Sequence, residues 1–166
     1  MITSRDALLA VAILFAIYIV WRFFQFRSRR RRGADPKARA AVHEKLKLAR
    51  AEADPVHKAL LFADAAEIAR TQAREPGLVV ALSLRALRSD PSRTASFHAI
   101  REVLAGRRAA RRLERTCWRL LARIPPRGPS RGTYLEVWRA LAGLYEGPFR
   151  HPARARAVRR LLETIE

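Results

Sequence analysis

An uncharged apolar run, Ala7 to Trp21, is followed almost at once by Arg27, Arg29, Arg30, Arg31 and Arg32. With its shoulder of Arg22, Phe23, Phe24, Gln25 and Phe26, the segment is about 20 residues long, enough for a helix to cross a hydrocarbon core of about 30 Å. A helix satisfies its own backbone polar groups in lipid, and Leu8, Leu9, Val11, Ile13, Leu14, Phe15, Ile17, Ile19 and Val20 make this one apolar all round. Tyr18, Trp21, Phe23 and Phe24 crowd its C-terminal end, where aromatic rings favour the membrane–water boundary. Arg22 fits there by extending its guanidinium among headgroups. A cleaved signal peptide would want its basic residues before the apolar run and a small-residue cleavage site after it, whereas here the arginine block lies after the run and no Ala-x-Ala follows. The arginine block resists translocation, so the expected orientation is N-terminus outside and the rest of the chain cytoplasmic, at a bacterial inner membrane. Residues 1–26 thus form a transmembrane anchor, with Arg27 and Arg29 to Arg32 against anionic headgroups.

Beyond the anchor, the chain is long enough for one ordinary domain with its own core. Cys117 is the single cysteine, which excludes an internal disulfide and any multi-cysteine metal site and fits a reducing compartment. The net charge is +19. One reading is an anionic partner: nucleic acid, anionic lipid or an acidic protein face. The other is GC-rich codon bias, since most of the basic residues are arginine on an alanine-rich background.

Glycine is sparse, alanine, leucine and arginine are abundant, and apolar residues recur at helical spacing. One face carries Leu61, Ala65, Ile68 and Ala69; another Leu78, Val79, Leu82 and Ala86; others Phe97, Ile100 and Leu104, then Leu113, Cys117, Leu120, Leu121 and Ile124. The last two carry Leu135, Trp138, Leu141, Ala142 and Tyr145, then Val158, Leu161, Leu162 and Ile165. No segment alternates with period two, so no strand is expected. Proline-bearing boundaries fall at Asp54-Pro55, Glu75-Pro76, Asp90-Pro91, Pro125-Pro126, Pro129 and His151-Pro152; Asp54-Pro55 and Asp90-Pro91 read most clearly as helix starts. The expected fold is all-α: three antiparallel hairpins (55–74 with 77–89, 92–105 with 107–124, 133–146 with 152–165) stacked over residues 55–166. Residues 27–54 supply the basic juxtamembrane segment and a spacer helix from about Lys37 to Ala53, whose apolar face is thin.

Asp90-Pro91 and Ile124-Pro125 lie one repeat of about 34 residues apart. Here the chain resembles the tetratricopeptide-repeat family. Pro91 and Pro125 match the proline that closes the second helix of a repeat. Ala86 matches the small residue five positions earlier, and Phe97, Ile100 and Leu104 match large apolar positions. Arg101, Leu113, Glu67 and Val79 stand where the family has small residues. The resemblance covers about 55–125. It implies stacked hairpins with a concave groove for a peptide or helix, and a scaffolding role.

Nothing in the sequence assembles a catalytic or cofactor site. His43, His57, His98 and His151 lack companions at metal-ligand spacing, and no glycine-rich phosphate loop occurs. Ser83, Ser89, Ser92, Ser96 and Ser130 lack a nucleophile-elbow context. Cys117 reads as a small buried hydrophobe, although Arg115 and Arg119 nearby would favour a thiolate if it were accessible. A non-enzymatic chain without catalytic, metal or cofactor-binding residues is expected.

Arginine placement is more specific. Arg108, Arg112, Arg115, Arg119 and Arg123 follow spacings of four, three, four and four, which puts them along one helical stripe. The stripe is either a solvated face or an anion-binding ridge, and arginine suits carboxylate and phosphate because its planar fork donates in pairs. Arg154, Arg156, Arg159 and Arg160 form a second basic cluster. The expected function is a membrane-anchored scaffold or adaptor holding a protein partner with an acidic surface. The alternative is a tethered binder of nucleic acid or anionic lipid, although the basic helix has little aromatic interleaving and matches no nucleic-acid-reading motif.

Overall fold

The computed structural model describes residues 13, 15–19, 21–22 and 35–165. It divides into two compact units, Met1–Asp35 and Pro36–Glu166. In the first, the described residues between 13 and 22 are helical. Arg22 bends back one turn, donating from Nη1 to the Tyr18 hydroxyl at 2.7 Å, with its guanidinium 5.9 Å from the Tyr18 ring centre. The Trp21 ring lies 6.5 Å from that of Tyr18. Most of the expected anchor, Phe23 and Phe24 included, lies outside the described residues. Among those described, no helix is long and apolar enough to cross a membrane.

The second unit is helical, with no strand among the described residues. Its helices are α1 (Pro36–Ala51), α2 (Pro55–Thr71), α3 (Pro76–Ser89), α4 (Thr94–Val103), α5 (Ala110–Leu121), α6 (Arg131–Glu146) and α7 (Pro152–Ile165). Short 3₁₀ turns at Arg107–Ala109 and Gly128–Ser130 precede α5 and α6.

Four of these helices, α1, α2, α3 and α7, start at a proline, where the missing N–H costs no hydrogen bond. At α2 the Asp54 carboxylate caps the helix by accepting from the amides of Val56 (3.4 Å) and His57 (2.8 Å). Asp90-Pro91 behaves differently. The Asp90 carboxylate accepts from both the amide and the hydroxyl of Ser92, at 3.0 and 2.6 Å, which closes a local turn and moves the start of α4 to Thr94. The connections after α2 and α6 share one design. Arg74 and Arg150 each sit at φ 50°, in the left-handed region. The amides of Ala73 and Glu75 bond back to Ile68 and Ala69, and those of Phe149 and His151 bond back to Leu144 and Tyr145. Pro76 and Pro152 then open the next helix.

Two apolar clusters form the core. The first joins Val42 and Ala49 to Leu61, Phe62, Ala65, Ala66 and Ala69, and to Val79, Leu82 and Ala86. Its alanines let the α1, α2 and α3 backbones approach closely. The second runs from Val80 and Leu87 through Phe97, Ile100, Leu113, Cys117, Val137, Trp138 and Leu141 to Val158 and Leu162. Side chains such as Phe97, Ile100 and Leu141, with no exposed surface, contribute about 1.5–3 kcal/mol each. Helix α3 supplies both clusters, from opposite faces.

Two expectations change here. Helix α1 is not a spacer: it packs on α2, burying Ala38, Val42 and Ala49, and Arg39 and Lys45 reach Glu75 and Asp64. The middle hairpin is also not a side-by-side pair. Helix α4 packs on α3 and α6, while α5 packs on α6. The 3₁₀ turn after Gly106 redirects the chain, and Thr94 and Thr133, whose hydroxyls are 3.2 Å apart, bring α4 onto α6 instead. The outer pairs, α2 with α3 and α6 with α7, do fold back on each other.

Candidate partner-binding face

Helix α5 is strongly two-sided. Ala110, Leu113, Thr116, Cys117 and Leu120 are buried, and Thr116 is accommodated because its hydroxyl donates to the Arg112 carbonyl at 2.8 Å. On the other side, Arg108, Arg112, Arg115, Arg119 and Arg123 are all exposed. They extend from the 3₁₀ turn through α5 into the turn beyond it, and none pairs with a carboxylate among the described residues. Many of the unit's acids are engaged elsewhere: Glu67 and Glu102 with Arg70, Glu75 with Arg39, Asp64 with Lys45, Glu136 with Arg101 and Arg139, and Glu146 with Arg159. Glu114, the only acid on α5, accepts from the Tyr145 hydroxyl at 2.7 Å.

The stripe is therefore a ridge, and a hollow flanks it on each side. Toward α3 lies a groove of about 360 Å³, with Leu84, Leu87, Leu120 and Ile124 among its lining and Arg88, Arg119 and Arg123 around it. The opposite hollow, toward the start of α7, includes Arg111, Arg115 and Arg154. Sequence spacing located the ridge but missed Arg88 and Arg111. Arg88 belongs to another helix, and only the packing brings it opposite α5. Arg111 falls off the four–three spacing. Of the second basic cluster, Arg159 pairs with Glu146 at 2.6 Å, and the Arg154 guanidinium stands 5.8 Å from the Tyr145 ring centre. Arg156 and Arg160 are exposed.

Cys117 has no exposed surface, and burial pushes its thiol up to about 12. Desolvation is the main cause and the Glu114 charge adds to it, so the thiol is not made a thiolate. His57 Nδ1 meets Glu52 at 2.5 Å on the surface, and that bond holds Glu52 below the usual carboxylate range. His43, His98 and His151 are exposed on separate elements. Among the described residues, no group of three or more His, Cys, Asp or Glu side chains could hold a metal ion.

Trp118 is 45 % exposed beside the ridge, its ring edge-on to Trp138 at 5.6 Å and its indole N–H 3.4 Å from the Tyr145 hydroxyl. Of the residues read as membrane contacts, Tyr18 and Trp21 are described and exposed. Arg27 and Arg29 to Arg32 lie outside the described residues, as do Phe23 and Phe24. No protein-family model, curated protein or solved structure matches this chain.

Proposed function

We propose that this chain is a non-catalytic adaptor. Its N-terminal segment anchors it in a bacterial inner membrane, and its cytoplasmic helical unit holds a protein partner with an acidic surface. The observation that carries the reading is the α5 ridge: five exposed arginines without a carboxylate partner, beside a groove with an apolar floor. An acidic helix or peptide with one or two apolar side chains complements both parts, charge against the ridge and apolar atoms in the groove. The hairpin stack is read as repeat-like because Ala86, Phe97, Ile100 and Leu104 are buried at the positions the tetratricopeptide resemblance assigns to packing. On this reading the contact surface is formed by α3 and α5.

Affinity purification of the detergent-solubilised full chain with mass spectrometry tests the reading, run beside retention on random-sequence DNA and on anionic vesicles. Stoichiometric recovery of one protein whose acidic segment cross-links to α5 supports it. Saturable retention on random-sequence DNA or anionic vesicles that weakens with salt, with no such protein recovered, replaces it with the nucleic-acid or lipid alternative.

A further inference from the structure

We infer that the hollow between α5 and the start of α7 is a binding cup for a phosphoryl oxyanion. Arg111 and Arg115 enter it from α5, Arg154 from α7, and His151 from the connection before α7. The hollow measures about 510 Å³ and is open to solvent, room for a phosphate or pyrophosphate with its hydration. Three guanidiniums sharing one concavity repel each other unless an anion lies among them. The protein supplies little of that anion. Glu114 is the one carboxylate in the lining, and its Oε1 already accepts from the Tyr145 hydroxyl at 2.7 Å. None of the three arginines forms an ion pair among the described residues. Arg154 is held above the Tyr145 ring and Arg115 Nε leans on the Arg111 carbonyl at 3.4 Å, so two of the three guanidiniums are steadied by neutral groups. Steadied guanidiniums without counter-charges suit the planar, paired donation that a phosphoryl group accepts. The cup lies beside the proposed partner ridge, shares only Arg115 with it, and does not depend on that reading.

The test is calorimetric titration of pyrophosphate into the full chain in a non-ionic detergent at low salt. The expected result is saturable one-site binding. It should weaken by about tenfold or more in Arg111→Gln/Arg154→Gln and stay within about twofold in Arg112→Gln/Arg119→Gln, whose arginines lie outside the cup. Equal weakening by both pairs would reduce the effect to diffuse charge attraction and overturn the site, as would the absence of saturable binding to the folded wild type. Circular dichroism of each variant separates lost binding from lost fold. Repeating the titration in phosphatidylcholine nanodiscs with phosphatidic acid, against discs with an equal charge of phosphatidylglycerol, distinguishes the source. Selective competition by phosphatidic acid makes the cup a headgroup site. Unchanged pyrophosphate binding makes it a site for a soluble phosphate. Either result supports the cup.

Discussion

Trp138 illustrates how a single residue connects sequence pattern to packing. It shares a helical face with Leu141 and Tyr145, is 8 % exposed, and meets Trp118 and Tyr134 edge-on at 5.6 and 6.3 Å. Its indole N–H is buried without a partner. Trp138→Ala should destabilise the unit by about 3–5 kcal/mol through the cavity it leaves. Trp138→Phe should cost much less, within about 1–2 kcal/mol, because it removes an unsatisfied donor along with some contact area. Melting curves of the two variants check this; equal losses would mean that the N–H is satisfied. Arg74 carries a different kind of residue-level cost, since a side chain at φ 50° is disfavoured by its own Cβ. Arg74→Gly should raise stability by a few tenths to about 1 kcal/mol, the gain limited by glycine's greater freedom in the unfolded chain. An unchanged or lower melting temperature would show that the Arg74 side chain makes contacts that matter more. Cys117, with its thiol raised from 9.0 to about 12 by burial, should resist alkylation at pH 8 until the protein unfolds. Its contribution to stability is complete below pH 9.0 and is lost as pH rises toward 12, because only the unfolded thiol ionises readily in that window. Rapid labelling of native protein would contradict the burial.

At the scale of elements, periodicity was legible and connections were not. The faces of α2, α3 and α6 follow from apolar spacing alone, and Asp54-Pro55 announces a helix because one carboxylate satisfies two first-turn amides. Asp90-Pro91 carries the same letters, yet Ser92 follows and offers the carboxylate a closer pair of donors. The α4–α5 relationship was illegible for another reason. Two consecutive amphipathic helices can close on each other or each close on a third, and here the Thr94–Thr133 contact and the apolar cluster that Phe97 and Ile100 share with Val137 and Leu141 join α4 to α6. The ridge on α5 was legible because it lies within one helix. The groove beside it was not, because Arg88 and Leu84 come from α3. Helix α1 was read as a spacer because alanine adds little to an apolar face. Alanine instead allows close backbone approach, and Ala38 and Ala49 are almost fully buried.

At the scale of the whole molecule, the core clusters of the helical unit are built, among the described residues, from Val42 onward. A fragment beginning at Pro36 should therefore fold without the residues before it and give an almost purely helical circular dichroism spectrum. Substantial β-structure, or a fragment that stays unfolded, would contradict this account of the fold. The excess charge divides unevenly over this unit. Among the described residues, carboxylates pair with basic side chains at Arg39, Lys45, Arg70, Arg101, Arg139 and Arg159, while the arginines of α5 form no such pair.

The most direct measurement compares affinity purifications of the full chain and its Arg112→Gln/Arg115→Gln/Arg119→Gln variant over a range of salt concentrations. Glutamine keeps helix propensity and stem packing, and exposed charges contribute under about 1 kcal/mol each to folding, so the variant should melt like the wild type. If the ridge is the contact, the variant loses the partner at low salt while the wild type loses it only as salt rises. If both recover the same proteins with the same salt dependence, α5 presents a solvated face and the adaptor reading is wrong.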